Sequence, residues 1–216
     1  MKKWLLILLS AFAITACGGE DAPEIEAAQS AKIVKTKQDF EIIFGKDTDF
    51  TVNNQGVVIF AKARDMFSNF NDYREDEGEV KFLSEVTLFI LITKNLDENE
   101  KELARNYAEM SFLYAVYRTF MNTLENEVTV DAYPVIVTAK GKKLPQKQVE
   151  IKATINREKA LDVLKKYTKA NAISDLVQTE ENKEYRSIGY GGSKFWDELI
   201  YNEKERSNIV ADLIKE

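Results

Sequence analysis

Histidine is absent from the 216-residue chain, and cysteine occurs once. Without histidine, the commonest general base and the commonest metal ligand are missing, so Ser/His pairs, Cys/His pairs and Cys/His zinc sites cannot form. A single cysteine excludes an internal disulfide. Nine glycines and three prolines are too few for collagen-like or proline-rich architectures. The sequence predicts no catalytic centre, no metal site and no cofactor.

The balance of acidic and basic residues excludes some classes of protein and of binding partner. Hydrophobic residues make up 44% of the chain and charged residues 31%, which is typical of a globular protein and excludes a wholly disordered one. Acidic residues outnumber basic residues by 36 to 30, which gives a formal net charge of −6. Because nucleic-acid-binding domains are normally basic, this balance argues against a nucleic-acid partner.

The N-terminus carries the strongest signal in the sequence. Lys2 and Lys3 precede an apolar stretch from residue 4 to residue 14, in which only Ser10 is polar. The stretch is too short to span a bilayer, which needs about 20 apolar residues. It has the length of the hydrophobic region of a signal peptide. The tetrapeptide Ile14-Thr15-Ala16-Cys17 follows, with the only cysteine of the chain.

This tetrapeptide resembles the lipobox of bacterial lipoproteins, in which an aliphatic residue and two small residues precede the cysteine. The resemblance implies cleavage before Cys17, a diacylglycerol on its sulfur and an acyl chain on its new amine. Several acyl chains anchor a protein stably, whereas one binds only reversibly. Because Gly18 and not aspartate follows the cysteine, the resemblance favours the periplasmic face of the outer membrane. The alternative is an ordinary secretory signal with an incidental cysteine.

Composition divides the chain into a signal peptide at 1–16, a lipidated N-terminus and tether at 17–37, and a globular domain at 38–216. Strand-like and helix-like patterns alternate within the globular part. We predict a single α+β domain with a mostly antiparallel sheet of about five strands packed on a long helix, followed by a helical C-terminal segment. Residues 170–216 are a candidate appendage to this domain.

Local sequence patterns predict the positions of the strands and helices. Strands are predicted at 50–52, 57–61, 80–93, 128–139 and 148–155, and helices at 63–71, 97–125, 156–169 and 193–214. The run at 86–92 is apolar except for Thr87, which predicts a central strand buried on both faces. Asp97 and Glu100 form a capping-box pattern before the long helix. Asn156 and Ser193 are predicted helix N-caps.

The long helix loses its polar stripe in the middle. From 110 to 117 only Ser111 is polar, and the stripe would otherwise continue through Leu113 and Val116. A helix that is apolar on all sides is either covered by another element or exposes a patch to a partner. Both interpretations stay open, with the C-terminal helix as the candidate cover. If the patch is exposed, Leu113→Asp is expected to abolish partner binding without lowering the melting temperature.

Two further groups are candidate partner-binding positions. Lys140, Lys142 and Lys143 cluster at a predicted hairpin tip, where they either meet an anionic surface or acidic partner or keep the hairpin soluble. Tyr190 and Trp196 lie beside a glycine-rich turn and suit either a binding surface or the edge of a core. The acidic loop at 72–79 does not fit an EF-hand and is interpreted as solvated.

These observations favour a non-catalytic envelope lipoprotein whose domain binds another protein, as an assembly factor, a pilotin-like chaperone or a toxin inhibitor. One alternative is a carrier of a lipid or other apolar ligand, lined by Tyr107, Tyr114 and Tyr117. Another alternative is a cell-wall glycan hydrolase that uses two carboxylates, although no particular pair stands out in the sequence.

Overall fold

The computed structural model of the chain describes residues 35–179 and 189–215. The predicted signal peptide, the lipobox with Cys17, most of the predicted tether and the polar link at 180–186 lie outside the described residues. The acylation of Cys17 and the sorting signal at Gly18 therefore stay predictions.

Strands and helices alternate along the described residues. The strands are β1 (Phe50–Val52), β2 (Val58–Phe60), β3 (Val80–Ser84), β4 (Phe89–Asp97), β5 (Glu127–Val137), β6 (Lys143–Pro145) and β7 (Ile151–Asn156). The α-helices are α1 (Lys37–Phe44), α2 (Ala63–Phe70), α3 (Ala104–Asn122), α4 (Arg157–Tyr167), α5 (Lys194–Ile200) and α6 (Glu203–Ile214). Short 3₁₀ helices cover Glu98–Leu103, Lys147–Val149 and Ile173–Leu176.

Strands β3 to β7 form one sheet, and β1 and β2 form a separate hairpin. β3 pairs antiparallel with β4, whereas β4 pairs parallel with β5 from Phe89↔Thr129 to Asp97↔Val137. The first half of β5 pairs antiparallel with β7, and its end pairs antiparallel with β6. A parallel pair needs a crossover connection, which α3 provides. The predicted α+β domain with a sheet of about five strands and a helical C-terminal segment is confirmed.

Helix α3 runs through the interior of the domain. Of its 19 residues, 15 are buried, because β4 and β5 pack on one side and α5 and α6 on others. Leu113 and Val116 both have 0% exposure. The exposed apolar patch at these two positions is therefore wrong, and the alternative interpretation, cover by other elements of the chain, is confirmed. Both C-terminal helices, α5 and α6, contact α3.

The apolar run at 86–92 is not one buried strand. Residues 85–88 form the turn between β3 and β4, and Val86 in this turn is 98% exposed. In β4, Ile90 and Ile92 are buried in the core, while Phe89 and Leu91 on the other face are only partly buried. The prediction of a strand buried on both faces is therefore wrong, because α3 covers only the face that Ile90 and Ile92 line.

The predicted helix caps hold, although one predicted helix is divided. Asn156 caps α4 and Ser193 caps α5, each by accepting a backbone N–H of the first turn, at 2.8 and 3.2 Å. The predicted helix at 193–214 is interrupted at 201–202 and forms α5 and α6. Arg206 on α6 donates its Nε to the carbonyl of Ile200 at 3.0 Å, which satisfies an end carbonyl of α5.

The C-terminal helices share the hydrophobic core of the sheet. Trp196 and Leu199 of α5, and Val210 and Leu213 of α6, are each at most 5% exposed and belong to one core cluster with α3. The described part of 170–216 is therefore integral to the domain and not an appendage. Within 35–179 and 189–215, no helix has the length and apolar character needed to cross a membrane.

The enclosure of Leu113 gives a test of this packing. Leu113→Asp places a carboxylate in a fully buried site, and we expect it to lower the free energy of unfolding by at least about 4 kcal/mol. Leu124→Asp, at a position that is 81% exposed, is the matched control and should change it by less than about 0.5 kcal/mol. Urea denaturation followed by circular dichroism measures both. Equal effects at the two positions would contradict the enclosed helix.

Candidate functional site

A cleft of about 370 Å³ lies between the α2–β3 loop, β4, α3 and α5. Aromatic side chains are half of its lining residues, which are Asp72, Tyr73, Lys94, Tyr107, Met110, Tyr114, Arg118, Trp196, Ile200 and Tyr201. Four of them come from α3, because the spacing of residues 107, 110, 114 and 118 places them on one face of a helix. The buried helix thus supplies a fixed wall to the cleft.

Arg118 lines this cleft and is only 6% exposed. Its Nη1 donates to the backbone carbonyl of Tyr190 at 2.7 Å and to Oδ1 of Asn122 at 3.5 Å. Asn122 is itself held in place, because its Nδ2 donates to the carbonyl of Val58 at 2.9 Å. These bonds fix the position of Nη1. They also supply hydrogen-bond partners, which a buried charge needs to offset its loss of hydration.

Three aromatic rings surround the Arg118 guanidinium. Its central carbon lies 4.6 Å from the ring centre of Trp196, 4.7 Å from that of Phe70 and 5.4 Å from that of Tyr114. Each such cation–π contact contributes about 0.5 to 2 kcal/mol. The rings therefore stabilise the cation, but they do not neutralise its charge.

The charge of Arg118 is only partly compensated. The Nε atom has no hydrogen-bond partner among the described residues. The nearest carboxylate oxygen, Oδ2 of Asp72, lies 3.9 Å from Nη2, which is too long for a hydrogen bond. That same oxygen accepts a hydrogen bond from the Tyr114 hydroxyl at 2.6 Å. One edge of the guanidinium thus lacks a close anionic partner.

Two tyrosines of the cleft, Tyr73 and Tyr114, stay neutral, and Lys94 lies near a carboxylate. Burial raises the pKa of Tyr73 and of Tyr114 well above the usual value, so both hydroxyls keep their protons at physiological pH. The Tyr73 hydroxyl is hydrogen-bonded to Oγ of Ser111 at 2.9 Å. Lys94 Nζ lies 5.4 Å from the ring centre of Tyr73 and 3.6 Å from Oε1 of Glu79.

The structure brings together some of the candidate residues. Trp196 lines the cleft, and Tyr190 supplies the carbonyl that holds Arg118. Tyr107 and Tyr114 line it too, as the carrier alternative requires. Tyr117 does not, because it has 0% exposure and its hydroxyl donates to the carbonyl of Ala160 at 3.0 Å.

The lysine cluster lies elsewhere. Lys140, Lys142 and Lys143 are exposed around the connection between β5 and β6, and none of them lines the cleft. Lys143 donates its Nζ to the backbone carbonyl of Glu77 at 3.4 Å. The cluster is therefore adjacent to the acidic loop of the same chain.

The acidic loop is organised by ion pairs. Nη2 of Arg74 lies 2.8 Å from Oδ2 of Asp76, and its Nη1 lies 2.6 Å from Oε1 of Glu77. Within the two described stretches of chain, no group of three or more Cys, Asp or Glu side chains is arranged to hold a metal ion. Asp72 is the acidic residue of this loop that lines the cleft, next to Tyr73.

The glycine-rich turn serves packing. A Cβ atom on Gly192 would lie 2.4 Å from Cδ1 of Trp196, and one on Gly189 would lie 2.5 Å from the carbonyl oxygen of Gly56. Side chains at these positions would displace Trp196 and the β1–β2 turn. The turn therefore seats the Trp196 wall of the cleft.

Arg118 and Asp72 were missed as site residues at the level of sequence. In the sequence, Arg118 is interpreted as the point where the polar stripe of the helix resumes. Asp72 is interpreted as part of a solvated loop. The available signal is an arginine that directly follows the stretch of the helix, residues 110–117, that is apolar on nearly all sides. Such a residue has to find partners inside the protein.

A second titratable cluster lies on β5 and on the segment before β7. Burial and the neighbouring Glu150 raise the pKa of Asp131 to about 6. A hydrogen bond from Lys147 lowers the pKa of Glu150. Lys147 Nζ also lies 3.8 Å from Oδ1 of Asp131 and 3.6 Å from the ring centre of Tyr133. Asp131 and Glu150 therefore form a carboxylate pair that the sequence did not reveal.

This pair predicts a pH dependence of stability. The pKa of Asp131 is about 6 in the folded state against 3.8 for the unperturbed group, so the folded state favours the protonated carboxyl. The stabilisation from Asp131 is therefore complete below pH 3.8 and is lost as the pH rises through 6. Asp131→Asn, which mimics the protonated acid, should raise the free energy of unfolding by about 1 to 2 kcal/mol at pH 7.5 and leave it nearly unchanged at pH 4. Urea denaturation at both pH values measures this. A difference that is the same at both pH values would contradict the shift.

Comparisons with known proteins provide no family for this cleft. No family model matches the chain, no curated protein matches it, and no solved structure matches it. A functional assignment therefore depends on the residues and distances described above.

Proposed function

We propose that this protein is a lipid-anchored component of the bacterial envelope, and that its folded domain binds another protein, without catalysis, through the Arg118 cleft. The observation that carries the proposal is the buried Arg118 guanidinium, whose Nε lacks a hydrogen-bond partner among the described residues and whose nearest carboxylate is 3.9 Å away. The lipobox at 14–17 supports the anchoring part of the proposal.

The composition and accessibility of the cleft support a protein partner. Arginine, tyrosine and tryptophan are the residues that contribute most to binding energy in protein interfaces. Tyr201 is 56% exposed, and the side chains of Asp72 and Lys94 are 50% and 37% exposed, so a partner can reach the rim. Arg118 sits on a buried helix, which keeps the anchor in one position before binding.

A carrier of a small ligand is the second candidate. Tyr107 and Tyr114 line the cleft, and a volume of about 370 Å³ falls within the usual range of ligand pockets. A cation among the lining residues disfavours a purely apolar ligand, because binding would remove water from the charge without replacing it. We therefore rank the carrier below the protein-binding proposal.

Membrane anchoring is tested at Cys17. In cells that process lipoproteins, the full-length protein should enter the detergent phase of Triton X-114, and its intact mass should include acyl chains. Cys17→Ser should move to the aqueous phase without acyl mass, while Gly18→Ser serves as a control that retains the cysteine. Equal partitioning of the wild type and Cys17→Ser would contradict anchoring through this residue.

Partner binding is tested by photo-crosslinking from the cleft rim. A benzophenone amino acid at Tyr201 of the full-length, membrane-extracted protein should give one major crosslinked protein. The same group at the exposed Leu124, outside the cleft, should not give it. Arg118→Met should remove the product.

A melting curve of the Arg118→Met protein is the control for folding. Lys94→Gln, at the rim of the cleft, is the second variant. The same products from positions 201 and 124, or a product that both variants leave unchanged, would overturn binding through the cleft.

A further inference from the structure

We infer that the group recognised by the cleft is a carboxylate next to an aromatic or apolar side chain, whose oxygens bind the Nε–Nη2 edge of Arg118. This inference rests on the proposed function and deepens it, because it names the chemistry of the partner at the same site. Charge complementarity, an internal carboxylate near that edge and the walls of the cleft support it independently.

The hydrogen bonds of Arg118 leave one edge of the guanidinium without a close acceptor, and the Nε atom on this edge is buried. A ligand therefore meets this edge only when a neighbouring side chain such as Asp72 moves aside. Nη1 is occupied by the Tyr190 carbonyl and Asn122, while Nε has no partner and Nη2 has only Asp72 at 3.9 Å. Nε and Nη2 share an edge of the planar group, and a carboxylate binds such an edge with two parallel hydrogen bonds. A carboxylate therefore supplies the anion that the buried cation lacks.

Asp72 marks where a carboxylate oxygen can sit. Its Oδ2 accepts the Tyr114 hydroxyl at 2.6 Å while it remains 3.9 Å from Nη2. A ligand carboxylate that approaches the guanidinium more closely would take over this hydroxyl, which stays protonated because burial raises the Tyr114 pKa. Asp72 belongs to a loop and its side chain is 50% exposed, so it can turn towards water. Asp72 is thus a weak internal competitor for the ligand.

The charges favour a monoanion over a phosphate dianion. Arg118 offers one edge, Lys94 lies 3.6 Å from Glu79, and Asp72 adds a negative charge at the rim. A phosphate dianion would be repelled by the Asp72 carboxylate, and the cleft offers it no second unpaired cation among the described residues. One carboxylate matches the single incompletely paired cationic edge.

The walls of the cleft favour a flat or apolar neighbour beside the carboxylate. Tyr107, Met110, Trp196 and Ile200 line the same cleft as Arg118. Aromatic rings stack on one another at ring-centre distances of about 4.5 to 7 Å. The shared chemistry is therefore that of an aromatic or apolar residue at a chain terminus, or of a free organic acid of the same shape.

The test uses Trp196 as the reporter. The sequence has two tryptophans, and the predicted cleavage before Cys17 removes Trp4. In the processed, detergent-solubilised protein, Trp196 is therefore the sole tryptophan, and its fluorescence is excited selectively over that of the tyrosines. Sodium benzoate should change its fluorescence in a saturable way, benzamide should bind at least about tenfold more weakly, and inorganic phosphate should cause no saturable change. Asp72→Asn should raise the benzoate affinity several-fold because it removes the competitor, and Tyr114→Phe should lower it.

Peptide probes distinguish the two sources. A chain-terminal source predicts that acetyl-Gly-Phe with a free carboxylate binds more tightly than benzoate, and that its amide does not bind. A free-acid source predicts that benzoate binds at least as tightly as the peptide. Equal binding of benzoate and benzamide, saturable binding of phosphate comparable to that of benzoate, or no response to any probe would overturn the inference.

The failure of this inference is separable from that of the proposed function. If the Tyr201 crosslink forms and depends on Arg118 but benzoate does not bind, the partner uses other chemistry and only the inference fails. If benzoate binds as expected but no protein is crosslinked, the carboxylate site stands and the protein-binding proposal fails. Benzoate that reduces the crosslink in proportion to its occupancy supports both.

Discussion

Helix α3 is enclosed by the sheet, by α5 and α6 and by the β1–β2 hairpin, so the polar side chains on it depend on partners within the protein. Glu109 accepts from Arg105 Nε at 2.7 Å and from the Ser207 hydroxyl at 2.9 Å. Asn122 donates to the Val58 carbonyl at 2.9 Å. Through these bonds α3 ties together α6 and the hairpin as well as the strands it connects. The positions of the surrounding elements follow from the burial of this one helix, because an unpaired polar group in the core would cost several kcal/mol.

Arg118 departs from this pattern. Glu109 and Asn122 on α3 are paired within the fold, whereas the Arg118 guanidinium is held by a carbonyl and by aromatic rings and has its nearest carboxylate 3.9 Å away. A protein retains a partly compensated buried cation at a measurable loss of stability. This arrangement beside the cleft is the basis of the proposed recognition of an anion. The resemblance of residues 14–17 to a lipobox is the basis of the location in the proposed function.

Several features of the fold were predictable because they depend on neighbours in sequence. The caps at Asn156 and Ser193, the β1–β2 hairpin and the presence of the long helix all follow from turn chemistry and helical periodicity. The predicted first turns of that helix form a separate 3₁₀ helix at Glu98–Leu103. Features that depend on distant contacts were not predictable. The turn at Val86 lies within an apolar run that also fits a strand, and the parallel pairing of β4 with β5 depends on how α3 crosses over. The cleft joins residues 72, 94, 118 and 196, which no local pattern connects.

The sequence by itself determined the α+β class, the resemblance to lipoproteins, and the exclusion of histidine-based catalysis and of disulfides, because these depend on composition and on short motifs. It left open whether Leu113 and Val116 face a partner, and it did not single out Arg118 or the Asp131–Glu150 pair. Only the tertiary structure decided these points. Burial and pairing are properties of what lies across a contact, and a side chain on a helix carries no record in its own sequence neighbourhood of the sheet or helix that will cover it.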